Sequence, residues 1–342
     1  MNRYLYKGDA DGRFARYLGN HDRAFLSGLF RSMLRIRRIE EEIERRYQQD
    51  HMKTPIHLVI GQEATGIGCC AALERDDLVF AGHRTHGAYL SKGGDLKAML
   101  SEMHCRLNGC AGSRGGSMHL IDKSVGMAGT SAIVGGAVPI ATGAALASQM
   151  QELNRVCVIF LGDATTEEGV TSESLNFAAL KKLPIVYFCE NNFYSVQSPL
   201  ATRQPPEREI YKWAQGHALP AVQVDGTDVL AVYEAMKVAV ECARSGGGPT
   251  FIEARVYRFR AHGGAGDDSK TGYREIQERE AWEKLCPVEN FAQFLQDRGM
   301  LAAAMREEME ADIRDEIEQA FEFALASPNP QEKDLYTHVY AD

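Results

Sequence analysis

A chain of 342 residues, 44% hydrophobic and 25% charged, has the composition of an ordinary globular protein and enough apolar material for a sizeable core. Its formal charge of −9 excludes nucleic acid and anionic membrane as partners, since either calls for a basic face. Residues 1–30 carry charges throughout and no unbroken apolar stretch, so neither a secretory signal nor a spanning helix is expected, and the protein reads as cytoplasmic.

Phe25, Leu29, Met33, Leu34, Ile36 and Ile39 recur at helical spacing among dense charges, which predicts a long amphipathic helix over 22–49. The segment GQEATGIGCCAAL, starting at Gly61, predicts a tightly packed helix of small residues after a glycine entry. Residues 108–143 are loaded with glycine, which predicts backbone running close to a ligand or another chain. Apolar runs at 156–162, 183–190 and 249–259 read as buried strands, with helices between them at 171–182 and 228–245. That rhythm predicts an α/β fold, a doubly wound parallel sheet with helices on both faces. Past Tyr273 the chain reads as helical and acidic. The division expected is a helical arm over 1–50, an α/β domain over 51–275 and a helical region over 276–342 packed on it. Eight cysteines without CxxC pairs suit reduced core thiols better than disulfides or zinc.

The residues that carry chemistry sit at predicted strand ends. Gly162-Asp163-Ala164 closes one strand and Glu190-Asn191-Asn192 another, and in an open parallel sheet both lie at the carboxyl edge, where ligands bind. Asp163 offers an anionic oxygen and Asn192 an amide oxygen, a pairing suited to magnesium carrying a diphosphate. Backbone N–H groups after Asp163 can take phosphate oxygens at the start of the following helix. On these residues alone, simple capping of the strand ends stands as an equal reading.

From about Phe25 to Tyr273 the chain resembles the alpha subunits of the decarboxylating component of pyruvate and related 2-oxo acid dehydrogenases, through several motifs in the same order. The family's thiamine diphosphate motif begins Gly-Asp-Gly and ends Asn-Asn; Gly162, Asp163, Asn191 and Asn192 match it, and Ala164 replaces the second glycine. Alanine keeps the N–H and adds one methyl, which a negative φ tolerates. The resemblance implies the thiamine diphosphate-binding fold, with Mg2+ held by Asp163, Asn192 and the backbone carbonyl of Tyr194, and phosphate cradled by Ala164 and Thr165. In HRTHG it implies diphosphate contacts from His83 and Arg84, the latter through its guanidinium fork, with His86 in support. In SAIVGGAVP it implies that the backbone of Ala132 and Val134 faces the aminopyrimidine ring, which is compatible with a glycine-rich helix start that packs tightly.

The same resemblance implies catalytic roles for His57, lining a substrate carboxylate pocket, and His262, beside the reactive thiazolium carbon, each as donor or proton relay. The loop after His262 is expected to be mobile and to order over the diphosphate. Gly263 stands where some relatives carry a regulatory phosphoserine, and Ser269 lies several residues on, so kinase control of that kind is not expected.

The implied activity is decarboxylation of a 2-oxo acid such as pyruvate, with the acyl unit passed to a lipoyl group on a separate acyltransferase. A beta subunit would supply the catalytic glutamate, giving an α2β2 heterotetramer. One alternative keeps the cofactor but cleaves acetoin, or moves an acyl or ketol unit in biosynthesis. A noncatalytic assembly partner of the same fold is another, against which Asp163, Asn192, Arg84 and His262 count. A nicotinamide enzyme is excluded, because no GxGxxG follows an early strand.

Overall fold

A computed structural model describes residues 12–268, 271–337 and 339–340. In chain order the elements are α1 (Arg23–Tyr47), α2 (Glu63–Cys70), β1 (Leu78–Ala81), α3 (Thr85–Ser91), α4 (Leu96–Met103), β2 (Met127–Thr130), α5 (Ala137–Met150) and β3 (Cys157–Gly162). There follow α6 (Gly169–Lys181), β4 (Ile185–Asn191), β5 (Tyr194–Ser195), β6 (Ser198–Pro199), α7 (Leu200–Arg203) and α8 (Ile210–Gln215). The chain then forms β7 (Ala221–Asp225), α9 (Val229–Arg244), β8 (Thr250–Arg255), α10 (Ile276–Glu283), α11 (Pro287–Asp297) and α12 (Ala303–Ala326).

Side-chain alternation along the strands divides the core into two layers. In β3, Val158 and Phe160 join one apolar cluster while Cys157, Ile159 and Leu161 join another; β4 divides the same way, Val186 and Phe188 against Ile185, Tyr187 and Cys189. The first cluster takes in residues of α1, α2, α9, α11 and α12, the second residues of α5, α6 and α8. A strand buried on both faces needs apolar residues at every position, which is why these runs are unbroken. The result is a six-stranded parallel sheet in the order β2-β1-β3-β4-β8-β7, wound on both faces as expected.

Local signals set the helix limits. The Asp22 side chain accepts from Phe25 N at 2.8 Å and starts α1. Asp228 does the same for α9 through the N–H groups of Leu230 and Ala231. Helix α2 is buried along its whole length, and its glycines let it lie against α3 and α9: a Cβ on Gly66 would meet the Gly87 carbonyl, and one on Gly68 the Val229 carbonyl. Among the described residues no helix is long and apolar enough to cross a membrane. All eight cysteines are free, and five are buried.

The glycine-rich stretch divides in two. Residues 109–116 wrap the carboxylate of Glu102, which is fully buried: Oε2 accepts from Ala111 N and Ser113 N, and Oε1 from Gly115 N and Gly116 N, at 2.7–3.1 Å. The ligand of that half is the protein's own carboxylate, and Gly109 is glycine because a Cβ would strike it. Only the second half, ending in α5, reaches the cleft described next.

Candidate cofactor site

The carboxyl ends of β1, β3 and β4 open into a cleft whose non-atom space, open solvent included, is about 900 Å³. The register of β3 against β4 pairs Gly162 with Glu190. Asp163 and Asn192, just past that pair on neighbouring strands, therefore both line the cleft, at 2% and 8% exposure. Asp163 opens a 3-10 turn, Asp163–Glu167, closed by a 2.7 Å bond from Thr166 Oγ1 to the Asp163 carbonyl. Ala164 and Thr165 in this turn line the cleft too, and Ala164 is not among the non-glycine residues with positive φ, so its methyl strains nothing.

Beyond Asn192 the backbone is left-handed at Phe193 (φ 69°) and Val196 (φ 53°), an uncommon conformation for such side chains, on either side of Tyr194 and Ser195. Asn192 is held at both ends: its Nδ2 donates to Gln62 Oε1 at 3.2 Å, and its Oδ1 accepts from Tyr194 N at 3.3 Å.

Arg84 follows β1 and lines the same cleft. Its guanidinium donates to the carbonyls of Leu58, at 2.6 Å, and His262, at 2.8 Å, and forms no ion pair among the described residues. Burial, reinforced by Arg258 and opposed by Glu190, lowers its pKa to about 9. A half-buried cation without a paired anion has lost part of its hydration and gained little in return, so it favours an anionic ligand.

Three imidazoles stand together here. The His57 ring lies 5.0 Å from His262 and 5.5 Å from His83, and His83 lies 6.2 Å from His262. Burial, and after it the charge of Arg84, lowers His57 to about pKa 3 and His262 to about 4; the same two causes lower His83. All three are neutral at pH 7 and can donate or accept a hydrogen bond, but bring no charge. His83 and His262 line the cleft, whereas His57 is outside its lining, and its buried Nδ1 has no hydrogen-bond partner among the described residues.

Two residues expected at the cofactor are absent from the lining, Ala132 and His86. His86 is fully buried, its Nδ1 2.6 Å from Glu40 and its Nε2 2.7 Å from Ser117 Oγ, so both ring nitrogens are consumed. Glu40 also accepts from Val59 N, at 2.7 Å, so His86 braces α1, the His57 loop and the glycine loop. Glu63, not a candidate on sequence, is buried and paired with Arg37 at 2.6 Å. Ser269 and Lys270 of the loop after His262 lie outside the described residues.

Three residues at the site were not anticipated. Arg203, on α7, forms ion pairs with Asp163 and Glu167. Burial raises the Asp163 pKa, and the Arg203 charge pulls it back. Glu190 lines the cleft with its pKa raised by burial, and Thr65 bonds it. Gln62 joins Asn192 on the same wall. Glu190 stood beside the Asn-Asn pair and Gln62 inside GQEA, but nothing local marked either.

The donors fit a diphosphate held through a divalent cation: one buried carboxylate, one amide oxygen, the backbone of a helical turn and an unpaired guanidinium. Among the described residues no three His, Cys, Asp or Glu side chains converge as a metal centre.

Residues 31–333 match the family described as the dehydrogenase E1 component. The chain is 34% identical over 313 residues to the alpha subunit of acetoin:2,6-dichlorophenolindophenol oxidoreductase from Bacillus subtilis (strain 168), covering 91% of this chain and 92% of that one. It is 36% identical over 321 residues to the pyruvate dehydrogenase E1 component subunit alpha of Porphyra purpurea, covering 92% of each. Against the protein of the same name from Rickettsia bellii (strain RML369-C) it is 33% identical over 311 residues, 91% of this chain and 94% of that one.

Proposed function

Since this chain belongs to the dehydrogenase E1 component family, we propose that it is the alpha subunit of a thiamine diphosphate-dependent 2-oxo acid dehydrogenase, gripping the cofactor's diphosphate through Mg2+. The observation that carries the reading is the convergence of Asp163, Asn192 and the unpaired Arg84 on one cleft at the carboxyl edge of the sheet. When bound, the cofactor supplies a carbon nucleophile that also takes up the electron pair released as carbon dioxide leaves. Asp163, Asn192 and the Tyr194 carbonyl would hold the cation, the N–H groups of Ala164 and Thr165 the phosphate, and Arg84 the remaining negative charge. Neutral His262 would hydrogen-bond the 2-oxo acid near the reacting carbon, with His57 packed against its ring, without adding a positive charge that would stabilise the carboxylate and oppose loss of carbon dioxide.

No side chain assigned here protonates the cofactor's pyrimidine ring, and a beta subunit would contribute a glutamate for that step in an α2β2 assembly. Support comes from the rim, where Ile133, Val134 and Val196 are exposed beside the opening, an apolar edge suited to a protein partner. The acyl unit would pass to a lipoyl-bearing acyltransferase. A second reading, cleavage of acetoin, draws on the similarity to the acetoin oxidoreductase subunit.

Calorimetry with thiamine diphosphate and Mg2+, on the chain copurified with its beta partner, tests the proposal. Binding that disappears in Asp163→Ala is the expected result; binding indifferent to that change refutes it. Turnover of pyruvate, branched 2-oxo acids and acetoin by the same preparation separates the two readings.

A further inference from the structure

Amide side chains present a donor at one end and an acceptor at the other, and the surrounding hydrogen bonds decide which end faces where. A cation accepts only the oxygen of Asn192. We propose that Gln62 is a positioning residue of the cation site, fixing the Asn192 carboxamide so that its nitrogen points into the protein and its oxygen remains available to the cation. The inference rests on the cofactor reading above.

Gln62 is itself immobilised. It is 2% exposed, and its N–H donates to the Val59 carbonyl at 2.8 Å. Its own carbonyl accepts from Thr65 Oγ1 at 2.6 Å and from Thr65 N at 3.3 Å, as the entry to α2. Gly61 before it has φ +98°, and a Cβ there would collide with the Tyr257 carbonyl, so the turn that aims Gln62 into the cleft requires glycine.

The polarity of the pair follows from its neighbours. The Gln62 side chain also lowers the Glu190 pKa against the effect of burial, as an amide N–H neighbour does, while its Oε1 faces Asn192. Oε1 accepts from Asn192 Nδ2 at 3.2 Å. Exchanging the ends of Asn192 would set its nitrogen against the Tyr194 N–H, donor facing donor, and its oxygen against Gln62 Oε1. In the observed orientation Oδ1 accepts one long bond, 3.3 Å from Tyr194 N, and keeps a lone pair for a cation. Gln62 thus holds the metal ligand without touching the metal, a task that neighbours of ligands commonly perform.

The test is Mn2+ binding followed by electron paramagnetic resonance, in the presence of thiamine diphosphate, on the chain copurified with its beta partner. Gln62→Met keeps the side-chain length and removes the acceptor, and weakens Mn2+ binding roughly 10- to 100-fold. Gln62→Asn, which keeps an amide but withdraws its oxygen, gives the same loss. In an Asn192→Asp background both ends of the side chain are oxygen, orientation no longer matters, and Gln62→Met costs less than about threefold. Unchanged affinity in Gln62→Met and Gln62→Asn overturns the assignment, and so does an equal loss with Asp at position 192, which would make Gln62 a packing residue. If the unmutated protein binds no Mn2+ with the cofactor, the cofactor reading itself fails.

Discussion

Acidification tests the neutral histidines directly. His57 and His262 carry folded-state pKa values of about 3 and about 4, against an ordinary 6.5, because burial and the Arg84 charge oppose their protonation. A folded pKa below the unfolded one means that the unfolded chain binds more protons through that window. Stability is therefore complete above roughly pH 7.5 and is lost as pH falls toward the folded values. At about pH 5 each histidine costs about 2 kcal/mol, and the two together up to about 4 kcal/mol. With rings 5.0 Å apart a proton on one opposes a proton on the other, so the folded site cannot take up both cheaply. A loss of that size is a substantial part of the 5–15 kcal/mol, roughly, that holds a typical domain together. The assay is urea unfolding followed by circular dichroism from about pH 5 to about pH 7.5, with the beta chain at fixed concentration because partners shift apparent stability. Replacing both residues by glutamine, which does not titrate, flattens the dependence by up to about 4 kcal/mol across that range. Equal slopes in the double variant and the parent would refute burial of neutral imidazoles as the source.

Other changes have outcomes fixed by the same contacts. Arg84→Met removes the only arginine or lysine lining the cleft among the described residues and weakens thiamine diphosphate binding on the order of 100-fold by calorimetry, and Arg84→Lys, lacking the fork, restores only part. Ala164→Gly restores no binding, because φ is already acceptable to alanine; affinity moves less than roughly fivefold, the reach of the glycine entropy cost. Glu102→Gln turns an NH2 group toward two of the four backbone N–H donors that the carboxylate holds, and lowers stability to urea by about 2–4 kcal/mol.

Some sequence signals were misleading because side-chain direction is a three-dimensional property. His83, Arg84 and His86 lie close together in HRTHG, and a loop would carry all three to one ligand. Helix α3 begins at Thr85, so His83 and Arg84 remain on the turn while His86 is wound inward onto Glu40. Glycines 109–116 looked like a ligand cradle and are one, but the ligand is Glu102, an identity that the sequence could not give. Strands β1, β2 and β7 also escaped notice. Each has only four or five residues, and the edge strands β2 and β7 lack a continuous apolar run, with Val222 left 44% exposed.

The sequence by itself determined the winding of the sheet, because unbroken apolar runs are encoded within a few neighbours, and it named Asp163, Asn192, Arg84 and His262, which the structure brings to one cleft. Tertiary structure alone decided which side chains serve them. Gln62 meets Asn192 across 130 residues and Arg203 reaches Asp163 across 40, contacts set by strand register and helix packing rather than by any local pattern. A lone glutamine or arginine becomes a partner only when folding removes water from around it and leaves one group within reach.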